Sequence, residues 1–211
     1  MADEFLQLSP VQKDILKEVS NIGAGSGATA LAHLLRRKIT MTVPGVRVLP
    51  LEEVATVTGG ADHKVVGIFQ RVEGPAPCSI LFFLSIDSAM HLVDMLLNRA
   101  LGTTRFIDKL NMSALEEMGN IVSGSFLNAL GGFTGLKFVP SVPSVAIDMA
   151  GAMLNSVLYH YGQVGDHALI IDTEFAEQDR HLAGNFFLFP DPGSLTKILS
   201  ALGVSNHGAC C

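Results

Sequence analysis

Sliding the chain by 99 residues lays its second half onto its first. Leu16 falls on Leu115, Glu18 on Glu117, Asn21 on Asn120 and Ile22 on Ile121. Gly25-Ser26 falls on Gly124-Ser125, Ala30-Leu31 on Ala129-Leu130, Lys38 on Lys137, Val43-Pro44 on Val142-Pro143, and Val46 on Val145. Twelve identities within the 33 positions from Asp14 to Val46 are a duplication, and they require the same element order twice. The ends of the units correspond more loosely: Ile80–Leu84 followed by Asp87 resembles Asn185–Phe189 followed by Asp191.

Periodicity gives the elements of each unit. Ser9 and Pro10 form an N-cap with proline at the first helical position, and Ile15, Leu16, Val19 and Ile22 recur at helical spacing. That helix continues to Leu34-Leu35 despite Gly23, Gly25 and Gly27. Strands are expected at Thr40–Val57, Val65–Val72 and Cys78–Leu84, then a helix at Ser85–Asn98. The second unit reads as a long helix at Leu110–Leu130 and strands at Lys137–Ile147, Ser156–Tyr161, Ala168–Glu174 and Phe186–Phe189. A last helix runs from Asp191-Pro-Gly-Ser194 to Leu202.

A three-strand sheet alone would expose an edge and an apolar face. The expected fold is therefore one α+β domain, a pseudo-twofold, duplicated helix–three strands–helix unit. The repeats span about residues 8–100 and 107–204, and their strands merge into one antiparallel sheet with the two long helices outside it. A chain that is 48% hydrophobic and 16% charged can fill such a core and is not disordered.

On a helical wheel Asp14, Glu18, Asn21 and Gly25 share one stripe pointing away from Ile15, Leu16, Val19, Ile22 and Gly23. Ser113, Glu117, Asn120 and Gly124 repeat it opposite Ala114, Met118, Ile121 and Val122. A proline, Pro44 or Pro143, follows each Asn by 23 residues and is read as fixing the entry into a strand. One Glu and one Asn on a helix face are ordinary solvated surface. Asn is a mediocre residue for a helix interior, however, and its return in the same register, while core positions such as Val19/Met118 drifted, points to function.

Other chemistries fit poorly. The glycines at 23–27 follow three turns of helix and lack the Gly-Lys-[Ser/Thr] ending of a phosphate-binding loop. The seven histidines have no ligand spacing, so no metal site is expected. With Arg36-Arg37-Lys38 the longest basic cluster and a net charge of −6, a nucleic-acid partner is not expected. Three cysteines, two of them the adjacent Cys210 and Cys211, form no disulfide framework, and Cys210-Cys211 misses the four-residue prenylation pattern. The acidic start lacks a signal peptide, and no apolar run approaches the ~20 residues of a membrane span, so a cytoplasmic chain without a membrane partner is expected.

The segments Glu18–Leu31 and Glu117–Ser125 resemble the two signatures of the CheC family of chemotaxis phosphatases. The resemblance implies hydrolysis of the aspartyl phosphate on the response regulator CheY, at two equivalent sites. Glu18 and Asn21, and Glu117 and Asn120, would be the catalytic residues, with Asp14, Ser113, Pro44 and Pro143 completing the motif. Each Asn would place the attacking water, and each Glu would anchor the regulator or act as a base. No cofactor is implied for this chain, because Mg²⁺ belongs to the regulator. The resemblance also implies an activating partner, CheD, docking on the second half, with Asp148 as the matching acidic position. A non-catalytic module docking on phosphorylated regulator or on a flagellar switch component is the alternative.

Overall fold

The computed structural model describes residues 8–36, 38–161, 167–177 and 180–204; the start of the chain and Cys210-Cys211 lie outside the described residues. The first long helix, α1 (Pro10–Leu35), opens on a capping box in which Ser9 and Gln12 satisfy each other's backbone N–H groups. It runs without a break through Gly23–Gly27. Strands β1 (Thr40–Thr42) and β2 (Val46–Pro50), helix α2 (Leu51–Val57), strands β3 (Lys64–Glu73) and β4 (Cys78–Ser85), and helix α3 (Ile86–Leu96) complete the first unit. The second unit repeats this order: α4 (Lys109–Thr134), β5 (Val139–Pro140), β6 (Ser144–Met149), α5 (Ala150–Tyr161), β7 (His167–Glu177), β8 (Arg180–Pro190) and α6 (Ser194–Ala201). Both long helices have 26 residues, and each ends on a left-handed residue, Arg36 and its counterpart Gly135.

The expected architecture holds, with three local differences. The expected first strand of each unit is broken into two, so that each unit has four strands rather than three. Leu51–Val57 is helix rather than the end of a strand, and Ser156–Tyr161 belongs to helix α5. In both segments apolar residues recur at helical spacing: Leu51, Val54 and Ala55 in one, Ala150, Met153, Leu154 and Val157 in the other. These helices also divide the expected first strand of each unit from the rest.

All pairings are antiparallel, in the order β1-β7-β8-β4-β3-β5, with β2 also on β7 and β6 also on β3. Each unit therefore hands its first two strands to the other unit's third strand. Val46 faces Ile171 and Val145 faces Ile68, so the exchange is symmetric to the residue.

The sheet is covered on both faces. Val66, Ile68, Ile80, Phe82, Phe186 and Leu188 face a core shared with α1, α3, α4 and α6. Val65, Leu81, Phe83, Ile170 and Phe187 face a second core capped by Val54 of α2 and Met153, Leu154 and Val157 of α5. This double cover explains why Ile80–Leu84 is an unbroken apolar run and Cys78–Leu84 is buried throughout. The enclosed Cys78 thiol is pushed up to about 12 by burial, which keeps it protonated.

The long helices lie against each other through small residues. A Cβ on Gly23 would stand 2.8 Å from Cα of Phe126, and one on Gly27 3.5 Å from Cβ of Ser125. The buried side of α1 consequently runs through Leu16, Val19, Ser20, Gly23, Ala24 and Gly27. Ile22, expected inside, is 40% exposed, and Ile121 is half-buried. Close helix approach takes the glycine edge and turns the isoleucine edge outward.

Candidate functional site

Helical geometry places residues three and four apart side by side, so each stripe forms a continuous strip of surface. On α1, Asp14 and Glu18 are exposed, Asn21 is half-buried and Gly25 is exposed. On α4, Ser113, Glu117 and Asn120 are exposed and Gly124 is half-buried. The Ser113 hydroxyl donates to the Lys109 carbonyl at 3.1 Å, the usual local bond of a helical serine. Both stripes thus lie on the solvent side of their helices, as the wheel implies. No Cβ placed on Gly25 or Gly124 would meet any atom within 4 Å.

The stripes differ in how they meet the turn that carries the matching proline. In the first unit Asn21 Oδ1 accepts the Val43 backbone N–H at 3.0 Å, joining α1 to the turn between β1 and β2. Val43 is 3% exposed and Pro44 is exposed. In the second unit Val142 is 86% exposed, Pro143 is buried, and among the described residues the Asn120 amide has no hydrogen-bond partner. That turn is held instead from β3. Ser141 N–H donates to the Arg71 carbonyl at 2.7 Å, Arg71 N–H donates to Ser141 Oγ at 3.0 Å, and Gln70 Nε2 donates to the Ser141 carbonyl at 2.7 Å.

Arg71 is itself fixed by two guanidinium bonds to Asp191, at 2.7 and 2.5 Å, and its pKa is raised chiefly by that carboxylate. The Gln70 contact carries no signature in the sequence. It follows from β3 pairing with strands of the other unit, which neither motif nor spacing announces.

Asp148, expected after a strand, lies within β6 opposite Val65. It is exposed, accepts the Met149 N–H at 2.8 Å, and with Gly67, Phe69, Ser144 and Met153 lines a cavity of about 270 Å³. It lies on β6, a different element from either stripe. Among the described residues no three His, Cys, Asp or Glu side chains gather as metal ligands, and no helix is long and apolar enough to cross a membrane.

A merged antiparallel sheet carrying two pseudo-equivalent helices, each with a polar Glu–x–x–Asn face, defines the class: duplicated domains that present paired helical surfaces. The sequence profile of the CheC-like family matches residues 11–47 and 110–147, once on each long helix and its following turn. The chain is 41% identical to the Bacillus subtilis protein named CheY-P phosphatase CheC, over 95% of this chain and 98% of that protein. It therefore belongs to the CheC-like family. It is also 27% identical to the flagellar motor switch phosphatase FliY of the same organism, over 68% of this chain and 38% of the relative. In fold it is similar to the crystal structure of Thermotoga maritima FliY, at TM-score 0.78 and 21% identity, covering 93% of this chain and 98% of that one.

Proposed function

We propose that this chain is a phosphatase that hydrolyses the aspartyl phosphate of CheY, with a helix-borne Asn positioning the water at each of two sites. The observation that carries the reading is the exposed Glu–x–x–Asn stripe on both α1 and α4, in the same register of two equivalent helices. The Bacillus subtilis relative named as a CheY-P phosphatase supports the substrate.

An acyl phosphate needs little from a helper. The regulator's own Mg²⁺ neutralises phosphoryl charge, and this chain's residues supply placement. An Asn amide remains neutral and offers an acceptor and two donors, which suits it to hold one water in line with phosphorus. The water oxygen forms the new P–O bond, the aspartyl carboxylate leaves, and the water's proton ends on phosphate or in solvent. Glu18 and Glu117, exposed one helical turn before the Asn, are placed to bind a cationic group of the regulator. The same reading puts the chain in the cytoplasm with its substrate.

The test is phosphate release from phosphorylated CheY with this chain at substoichiometric concentration. Many turnovers per chain are expected. Binding of the phosphorylated regulator without turnover would replace the enzyme by a docking module.

CheD is the proposed second partner, with Asp148 as one contact. Its carboxylate sits on an exposed sheet edge beside an open cavity, so charge reversal there disturbs no core. Asp148→Lys should weaken CheD capture severalfold in a pull-down and leave basal phosphate release intact. Unchanged capture would remove Asp148 from the interface.

A further inference from the structure

The two Asn residues are equivalent in sequence but not in bonding, and the difference traces to one buried side chain. Gln70, 2% exposed, lies in β3 between α4 and the 141–143 turn. Its Nε2 donates to the Ser141 carbonyl at 2.7 Å, and its Oε1 accepts from the hydroxyl of Ser123, also 2% exposed. A carbonyl cannot donate, so the Ser141 contact fixes which end of the amide is nitrogen. The single Ser123 hydroxyl proton is then shared between two acceptors, Gln70 Oε1 and the Gly119 carbonyl. Ser123 lies one helical turn beyond Asn120, and its oxygen is 2.7 Å from the Gly119 carbonyl. A single amide therefore ties the Asn120 segment of α4 to the turn carrying Val142-Pro143.

The first unit lacks this tether. The pairing register puts Thr173 where Gln70 stands, Ala24 replaces Ser123, and Thr42 replaces Ser141. The Thr173 hydroxyl turns back to the Ile171 carbonyl at 3.2 Å. The turn is held by the Asn21 side chain together with the Asp172 N–H on the Gly45 carbonyl at 3.0 Å, and among the described residues no buried side chain of β7 reaches it. We propose that Gln70 is a positioning residue of the second site. By taking over the hold on the turn, through Ser141 and Ser123, it leaves the Asn120 amide available to water. This rests on the phosphatase reading above.

The test separates a local role from a structural one by reading each site alone. In an Asn21→Ala background only the second site is intact. There Gln70→Met, close in size but unable to bond, should lower kcat about tenfold with KM changed by less than about twofold. In an Asn120→Ala background, where the remaining turnover comes from the first site, the same change should leave turnover within about twofold. Ser123→Ala, which copies the first unit's Ala24, should act in the same direction with a smaller drop, and it keeps the test decisive if Gln70→Met fails to fold. Amide NMR gives a readout independent of turnover: in both variants the Val142 backbone and Asn120 side-chain resonances should shift. Equal losses in the two backgrounds, or unshifted resonances with unchanged kcat, would overturn the positioning role. Shifted resonances in a chain that shows no turnover even with Gln70 present would keep the tether and overturn the phosphatase reading instead.

Discussion

The α1 and α4 stripes carry the same Glu, Asn and Gly and match in register, yet they present different chemistry. Asn21 has its amide oxygen on the Val43 N–H, whereas among the described residues the Asn120 amide is unpartnered and exposed. Val43 is 3% exposed and its counterpart Val142 86%. Duplication has kept the side chains of the site and let the support behind them diverge. Asn21 bonds a turn of its own unit, whereas the turn beyond α4 is held by Gln70 and Arg71 of the opposite unit's β3.

Removing the two amides should have the largest effect. Asn21→Ala/Asn120→Ala should reduce phosphate release about 100-fold, since misplacement of a reacting group by about 1 Å has that cost. The singles should divide unequally and in opposite senses. Asn120→Ala should cost more activity and shift stability by no more than about 0.5 kcal/mol, as expected of an exposed unpaired side chain. Asn21→Ala should cost less activity but about 1 kcal/mol of stability, because the Val43 N–H beneath it loses its acceptor. Equal kinetic losses with equal melting temperatures would show that the difference in bonding has no consequence.

The units also differ in how their third helices are anchored, through a position the repeat does share in burial. Gln12 of α1 and its counterpart Asn111 of α4 are each 2% exposed. Gln12 Nε2 donates to the Val204 carbonyl beyond α6 at 2.7 Å. Asn111 accepts from Arg99 at 3.1 Å and donates to the Phe106 carbonyl at 2.9 Å, bracing the connection between units. Among the described residues only the first unit adds a buried carboxylate. Asp94 accepts from Thr103 N–H at 3.1 Å, Thr104 N–H at 2.9 Å and the Thr104 hydroxyl at 2.6 Å. Burial pushes its pKa up, but these hydrogen bonds outweigh it and the net direction is down.

A lowered folded pKa means that stability is present above the unfolded value and lost as pH falls through the folded one. Asp94→Asn should cost about 2 kcal/mol at neutral pH, since one amide end must face a donor. In urea titrations that difference should stay constant above about pH 5 and shrink below about pH 4. A gap independent of pH down to about 2 would show that charge plays no part.

Much of this arrangement was legible in the sequence. The repeat implies both long helices and the merging of sheets, and the Asn stripes lie on the expected solvent side. Leu51–Val57 misleads because β-branched Val54, Thr56 and Val57 favour strand, while in the fold Val54, Ala55 and Val57 pack from a helix onto the sheet. Ile22 misleads because a wheel weighs hydrophobicity alone, whereas α1 and α4 approach through Gly23 and Gly27. The Gln70–Ser123–Ser141 tether joins residues 53 and 71 positions apart across the two units, so only the fold reveals it.

The repeated outward glycines give the smallest expected effects and the sharpest contrast with their neighbours. Gly23→Ala and Gly119→Ala would place a Cβ 2.8 Å from Phe126 Cα and 2.6 Å from Ile68 Cγ2, so each should destabilise. Gly25→Ala and Gly124→Ala meet no atom within 4 Å, and alanine is the better helix former. Each should raise stability by about 0.5–1 kcal/mol. Internal packing therefore gives no reason for glycine at these two positions. A regulator backbone passing close to each Asn does give one, because a Cβ one turn beyond the amide would hold the phosphoryl group away. Gly124→Ala should then raise the KM for phosphorylated CheY severalfold, more than Gly25→Ala does, if the unpaired Asn120 makes the second site the more active one. Higher stability with unchanged KM in both variants would show that the glycines are left from the duplication and that the regulator does not approach there.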